Sequence, residues 1–256
     1  MPFSKSAAMV CLAPIVLLLA SSSLCSAGMI GRKLQTVPIG NDPVDLGAAT
    51  KFTVLAATTV TNSGVSPVDG FLGVSPGNAV ADPNYEIEYT DANVFGPSCN
   101  DDDAKAAHAA AALAYTDAKG RVFNAITIPQ VNIGGETYGP GLYTTPGALA
   151  ISSGSLTLDA KGNTDGVFIF QMETTFLMST GLKMILTIGA RAKNIFWVIG
   201  SSATFEVKAE AYGTFLAFQS ISVNTGATFT GRLIAINAAV TMLANTVVFP
   251  SDGLPL

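Results

Sequence analysis

The side chains in this sequence most able to do chemistry are hydroxyls. Thr58, Thr59 and Thr61 fall in one short β-branched run, and Thr225, Thr228, Thr230 and Thr246 in later ones. A threonine offers a methyl group beside a hydroxyl that both donates and accepts, so an array of them organises water rather than breaking bonds. Bond-breaking by carboxylate pairs needs acids brought to one place. From residue 134 onward the acids are Glu136, Asp159, Asp165, Glu173, Glu206, Glu210 and Asp252, at spacings that share no period. His108 is the sole histidine, and no second ligand stands at a spacing that makes a metal site or a Ser-His-Asp arrangement with it. No phosphate-binding loop, zinc spacing or calcium loop occurs. The sequence therefore argues against an enzyme and implies no cofactor and no metal.

Composition narrows the class further. Charged residues make up 12% of the 256 residues, with 18 acids to 13 bases, and mean hydropathy is +0.44. The hydrophobicity is spread through short segments punctuated by Gly and Thr, so only the extreme N-terminus approaches a membrane-length run. No Lys/Arg cluster is present to neutralise phosphates, which excludes a nucleic-acid partner. Residues 1–27 read as a secretory signal, with Lys5 in the basic region, an apolar stretch, and Cys25 and Ala27 at −3 and −1 of a cut before Gly28. The mature chain is then expected to be extracellular, free of the membrane, and monomeric. Cleavage removes Cys11 and Cys25, leaving Cys99 as a thiol expected to be buried and structural.

Hydroxyls act together only if elements hold them in register. Residues 28–44 lack hydrophobic periodicity and read as a flexible lead-in, and residues 45–256 as a single domain. Residues 52–61 (FTVLAATTVT) and 71–75 are β-rich and separated by turns. Between 78 and 100 the pattern breaks at Pro83 and Pro97, as a capping or insertion segment would. A helix is predicted over 101–120, capped by Asn100 or Asp101 and stopped at Gly120. On it Ala104, Ala107, Ala111, Ala114 and Ala118 form one smooth stripe. After Pro129 an internal repeat begins: IFWVI from Ile195, TFLAF from Thr214 and RLIAI from Arg232 start units 19 and 18 residues apart. FIFQM from Phe168 fits the same slot 27 residues earlier. These strands are apolar on both faces, as expected where a core lies inside and the helix outside. Two more strands follow in each unit, which gives a coil of triangular cross-section.

Four strings carry a resemblance: residues 134–143 (GGETYGPGLY), 166–171 (GVFIFQ), 189–200 (GARAKNIFWVIG) and 224–235 (NTGATFTGRLIA). Together with residues 46–77 and the helix they resemble the secreted ice-binding (antifreeze) proteins of polar microbes. The resemblance implies a mainly β fold, a right-handed β-helix of discontinuous coil order with one long α-helix packed alongside. It also implies adsorption to an ice crystal surface through a flat, Thr-containing β-face, with growth and recrystallisation inhibited. The runner-up function is an extracellular polysaccharide-binding or adhesive module, which would use exposed aromatics. Outward residues along a strand lie about 6.7 Å apart and neighbouring strands about 4.8 Å apart, so the face is a rigid grid on which hydroxyls can hold ordered water. The expected site is Thr58, Thr59, Thr61, Thr225, Thr228, Thr230, Thr246 and Val248. Thr246 should lie over Thr228 and Val248 over Thr230, with Glu210 and Tyr212, and before them Lys183 and Ile185, on the same face. A neighbouring face with Ser220, Ser222 and Thr241 is the rival.

Overall fold

Most strands are runs of three to five largely β-branched, aromatic and aliphatic residues, too short to bury a core alone. Stacked in parallel they share one. The computed structural model describes residues 41–90 and 97–251, so the expected leader (1–27) and nearly all of the lead-in lie outside the described residues. Every strand pairing among them is parallel. The chain winds as a β-helix with three faces.

The first face stacks Gly141–Thr145, Phe168–Met172, Ile195–Ile199 and the C-terminal halves of Glu210–Ala217 and Thr228–Ala235. Phe52–Ala56 then docks on the last of these, with Val54 opposite Leu233, and Phe71–Val74 and Ser98–Cys99 follow. The coils that open the described chain therefore sit at the far end of the stack, contiguous in space and discontinuous in sequence. Along each first-face strand alternate side chains part. Phe168, Phe170 and Met172 enter the interior, whereas Ile169, Phe196, Val198, Leu216 and Ile234 join the helix. Inside, Tyr143, Phe170, Trp197 and Phe215 stack coil over coil, with ring centroids 5.0, 4.4 and 5.7 Å apart.

The helix runs Asp102–Gly120, and Asp101 Oδ1 caps it by accepting from the Ala104 amide at 2.8 Å. All five stripe alanines are buried. Their methyl groups let the axis lie low on the first face, where polar groups finish the seam. Gln171 Nε2 donates to the carbonyls of Ala118 and Arg121 at 2.6 and 2.9 Å, satisfying oxygens the helix end leaves open. His108 Nε2 lies 2.8 Å from the Ile236 carbonyl, which places the lone histidine in the seam.

Three expectations change. On the first face the repeat from Phe196 through Thr214 to Arg232 is 18 residues, because Phe196 rather than Ile195 pairs with Thr214, whereas on the second face Ser222 and Thr241 are 19 apart. Gly213, at φ +112°, turns the chain at the corner just before Thr214. Residues 52–61 are two strands, Phe52–Ala56 and Thr59–Ser63, since the chain turns a corner at Ala57-Thr58. The segment 78–100 carries Ala79–Ala81, Ile87–Tyr89 and Ser98–Cys99, an end coil laid over all three faces. Each pairs on one side only, so this end coil does not need the apolar pattern that marks inner ones. Cys99 is half-buried rather than buried, and loss of solvent, with Asp101 nearby, raises its pKa.

Candidate functional site

Two faces remain free of the helix, and their chemistry differs. The second face stacks Leu149–Ile151, Phe176–Met178, Ala203–Phe205, Ile221–Val223, Val240–Leu243, Thr59–Ser63 and Ala79–Ala81. Side chains alternate along each strand, so that in Phe176–Met178, Ala203–Phe205 and Ile221–Val223 the middle residue points outward, whereas in Ala79–Ala81 the middle Val80 packs inward and both alanines face out. The outward column in register is Ala150, Leu177, Thr204, Ser222, Thr241, Thr61 and Ala81. Beside it runs a second column that includes Ser202, Ser220, Thr59 and Ala79. Ser202 and Ser220 hydroxyls hydrogen-bond to each other at 3.0 Å. The hydroxyls of Thr61, Thr204, Ser222 and Thr241 have no protein partner among the described residues, which leaves them to water. Neither column contains a charge.

Acids stand at the borders of the second face: Glu173 at the corner toward the first face, paired with Lys119 of the helix at 2.7 Å, and others toward the third face. Glu206 accepts from Asn224 Nδ2 at 2.8 Å. Asp82 receives the amides of Ile87 and Glu86 and the side chain of Asn62. Burial works to raise the Asp82 pKa, but these donors outweigh it and hold the carboxyl below its ordinary value. Asn62, Ser66 and Asn245 continue that corner as a chain of hydrogen bonds, Ser66 Oγ to Asn62 Oδ1 at 2.7 Å and Asn245 N to Ser66 Oγ at 3.0 Å. Such pinning fixes the angle between the two faces.

The third face stacks Thr137–Tyr138, Leu156–Asp159, Met184–Thr187, the N-terminal halves of Glu210–Ala217 and Thr228–Ala235, Thr246–Val248, Ser66–Val68 and Ile87–Tyr89. The sequence-derived register holds here: Glu210, Thr228 and Thr246 align, as do Tyr212, Thr230 and Val248. Lys183 Nζ and Glu210 Oε1 form an ion pair 2.6 Å long in the middle of it, and Val248 is exposed.

The expected site is thereby divided. Thr59 and Thr61 lie on the second face with Ser222 and Thr241, whereas Thr228, Thr230, Thr246 and Val248 lie on the third. Thr58 and Thr225 lie on neither: each occupies a corner, Thr58 before the strand Thr59–Ser63 and Thr225 in the turn before Thr228. The corner at Ala57-Thr58 is the reason, since it carries the chain from the first face onto the second. Sequence reasoning missed Thr204, although it precedes Ser222 by the same 18 residues that separate other register partners.

A parallel β-helix with a helix along one side and a flat hydroxyl-bearing face on another defines a class of surface-binding solenoid. The chain belongs to the ice-binding-like family, whose model matches residues 54–248. An ice-binding protein of Flavobacterium frigoris is 33% identical over 217 residues, covering 82% of this chain and 77% of that protein. One from Nostoc is 34% identical over 203 residues, covering 79% and 72%. Among solved structures, an ice-binding protein from an Antarctic biological consortium is similar with a TM-score of 0.75 at 40% identity, covering 80% of this chain and 91% of that one. That of the ascomycete Antarctomyces psychrotrophicus has a TM-score of 0.75 at 32% identity, covering 82% and 99%.

Proposed function

We propose that the protein adsorbs to ice through its second face and, by pinning the crystal front, inhibits growth and recrystallisation. The observation that carries this choice is the uncharged column in register from Ala150 to Ala81, with four free hydroxyls at its centre. Side chains repeat at about 4.8 Å across the coils on a backbone held by ladders on both sides. Methyl and methylene groups discourage disordered hydration while the hydroxyls anchor water, each at a small immobilisation cost. Such a layer can merge with a crystal without chemistry or cofactor. An ion pair orders water around itself instead, and the third face carries one at its middle. In this reading the protein works outside the cell as a monomer and binds neither nucleic acid nor membrane. Among the described residues no helix is long and apolar enough to cross a membrane.

Tyrosine substitution distinguishes the faces. Ser222→Tyr places a ring at the centre of the second face and should abolish ice shaping and thermal hysteresis, with the unfolding midpoint nearly unchanged because the change is on the surface. Thr228→Tyr should retain both activities. The reverse pattern would move the site to the third face. Circular, unshaped ice discs grown in the parent protein would instead favour a polysaccharide-binding or adhesive module.

A further inference from the structure

We propose that Leu177 limits the ice-binding patch, standing as a step at the border of the hydroxyl-bearing coils; this rests on the second-face reading above. Its strand neighbours Phe176 and Met178 are buried, so its side chain points out, in register with Ala150 on one side and Thr204 on the other. It is 37% exposed, and no other large hydrophobic in the outward column of that face is exposed. From Thr204 through Ser222 and Thr241 to Thr61 every outward side chain ends one bond beyond Cβ. Leucine carries a further branch beyond that level.

A rigid plane laid on the four hydroxyl coils therefore meets the Leu177 methyls first. Either it tilts away from Thr204 or it stops short of the coil that Leu177 occupies. The backbone cannot yield to relieve the contact, because Phe176 and Met178 anchor the strand in the core on both sides. The opposite border is different in kind. Ala81 aligns with Thr61 and is a shallow recess that lacks a hydroxyl but obstructs nothing. The patch is thus bounded by a protrusion at one end and a missing anchor at the other, and only the protrusion can be relieved by making a side chain smaller.

The test is a gain of activity. Leu177→Thr lowers the step and adds a hydroxyl in register, keeping a residue that favours strands; Leu177→Ala lowers the step alone. The strip that one coil adds, about 4.8 by 6.7 Å, corresponds at the usual transfer coefficient to about a four-fold gain in affinity. Partition of the full chain into slowly growing ice, thermal hysteresis at equal concentration and the unfolding midpoint are measured for each variant. Leu177→Thr is expected to raise partition about four-fold, and Leu177→Ala to raise it by less, with the midpoint little changed. Adding Ser222→Tyr should erase the gain. If either Leu177 variant leaves partition unchanged or lowers it while Ser222→Tyr alone abolishes binding, Leu177 is not the limit, although the second face is the site. A gain that survives Ser222→Tyr overturns the inference as well. A parent that does not enter ice overturns both readings together.

Discussion

Phe205→Ala tests whether the flatness of the second face depends on what lies beneath it. Phe205 closes the strand Ala203–Phe205, adjacent to the outward Thr204, and is fully buried. Its ring meets Phe176 at 5.6 Å, Phe215 at 4.8 Å and Phe229 at 4.7 Å, the last two edge to face. Truncating such a residue loses its transfer free energy, three aromatic pairs and the packing around a cavity that rigid coils cannot close, together about 3–5 kcal/mol. For a domain of this size each kcal/mol moves the midpoint by about 2–4 °C, so a fall of about 6–20 °C is expected. Phe218→Ala is the matched control: the ring is 41% exposed and touches only one aromatic, Tyr115, at 5.5 Å. It should cost about 1 kcal/mol. Thermal or urea unfolding measures both, and hysteresis measured near freezing, where Phe205→Ala is still folded, should fall below that of the parent. Equal losses from the two substitutions would refute the reasoning, because then burial under the face would not be what matters.

At the helix start, the Asp101 carboxylate accepts from Ser98 Oγ and the Ala104 amide, and the Ser98 bond above all holds its pKa below 3.8. A folded-state pKa depressed in this way gives stability that is present above the unfolded value and lost as pH falls through the folded one. Asp101→Ala should therefore cost about 1 kcal/mol at neutral pH and narrow its gap to the parent below about pH 4, as read from urea midpoints across pH. At the corners, a Cβ on Gly231 would lie 1.9 Å from the Gly213 carbonyl oxygen. Gly231→Ala should cost at least about 2 kcal/mol by overpacking, whereas Gly120→Ala, with nothing within 4 Å, should be neutral or stabilising; equal midpoints for the two would show that the corner yields.

Much of the architecture was legible because it is local. Strand alternation, the alanine stripe, the capping acid and the spacing of TFLAF and RLIAI each follow from neighbouring residues, and the family motifs fixed the order of coils. The register of Thr228 with Thr246 was legible too, since both lie in consecutive coils of one repeat. What the sequence did not determine was which face each threonine joins. That depends on corners, and a corner such as Ala57-Thr58 lies inside an unbroken β-branched run that reads as a single strand. It also depends on pairings far apart in the chain. Thr61 meets Thr241, and Val54 meets Leu233, only because the helix returns along the first face and leaves the earlier coils to close the far end. Local preference sets how a strand alternates, but only the completed stack decides which neighbours its outward side chains acquire. For that reason the expected threonines part: Thr59 and Thr61 join an uncharged face, Thr228, Thr230 and Thr246 a charged one, and Thr58 and Thr225 stand at corners.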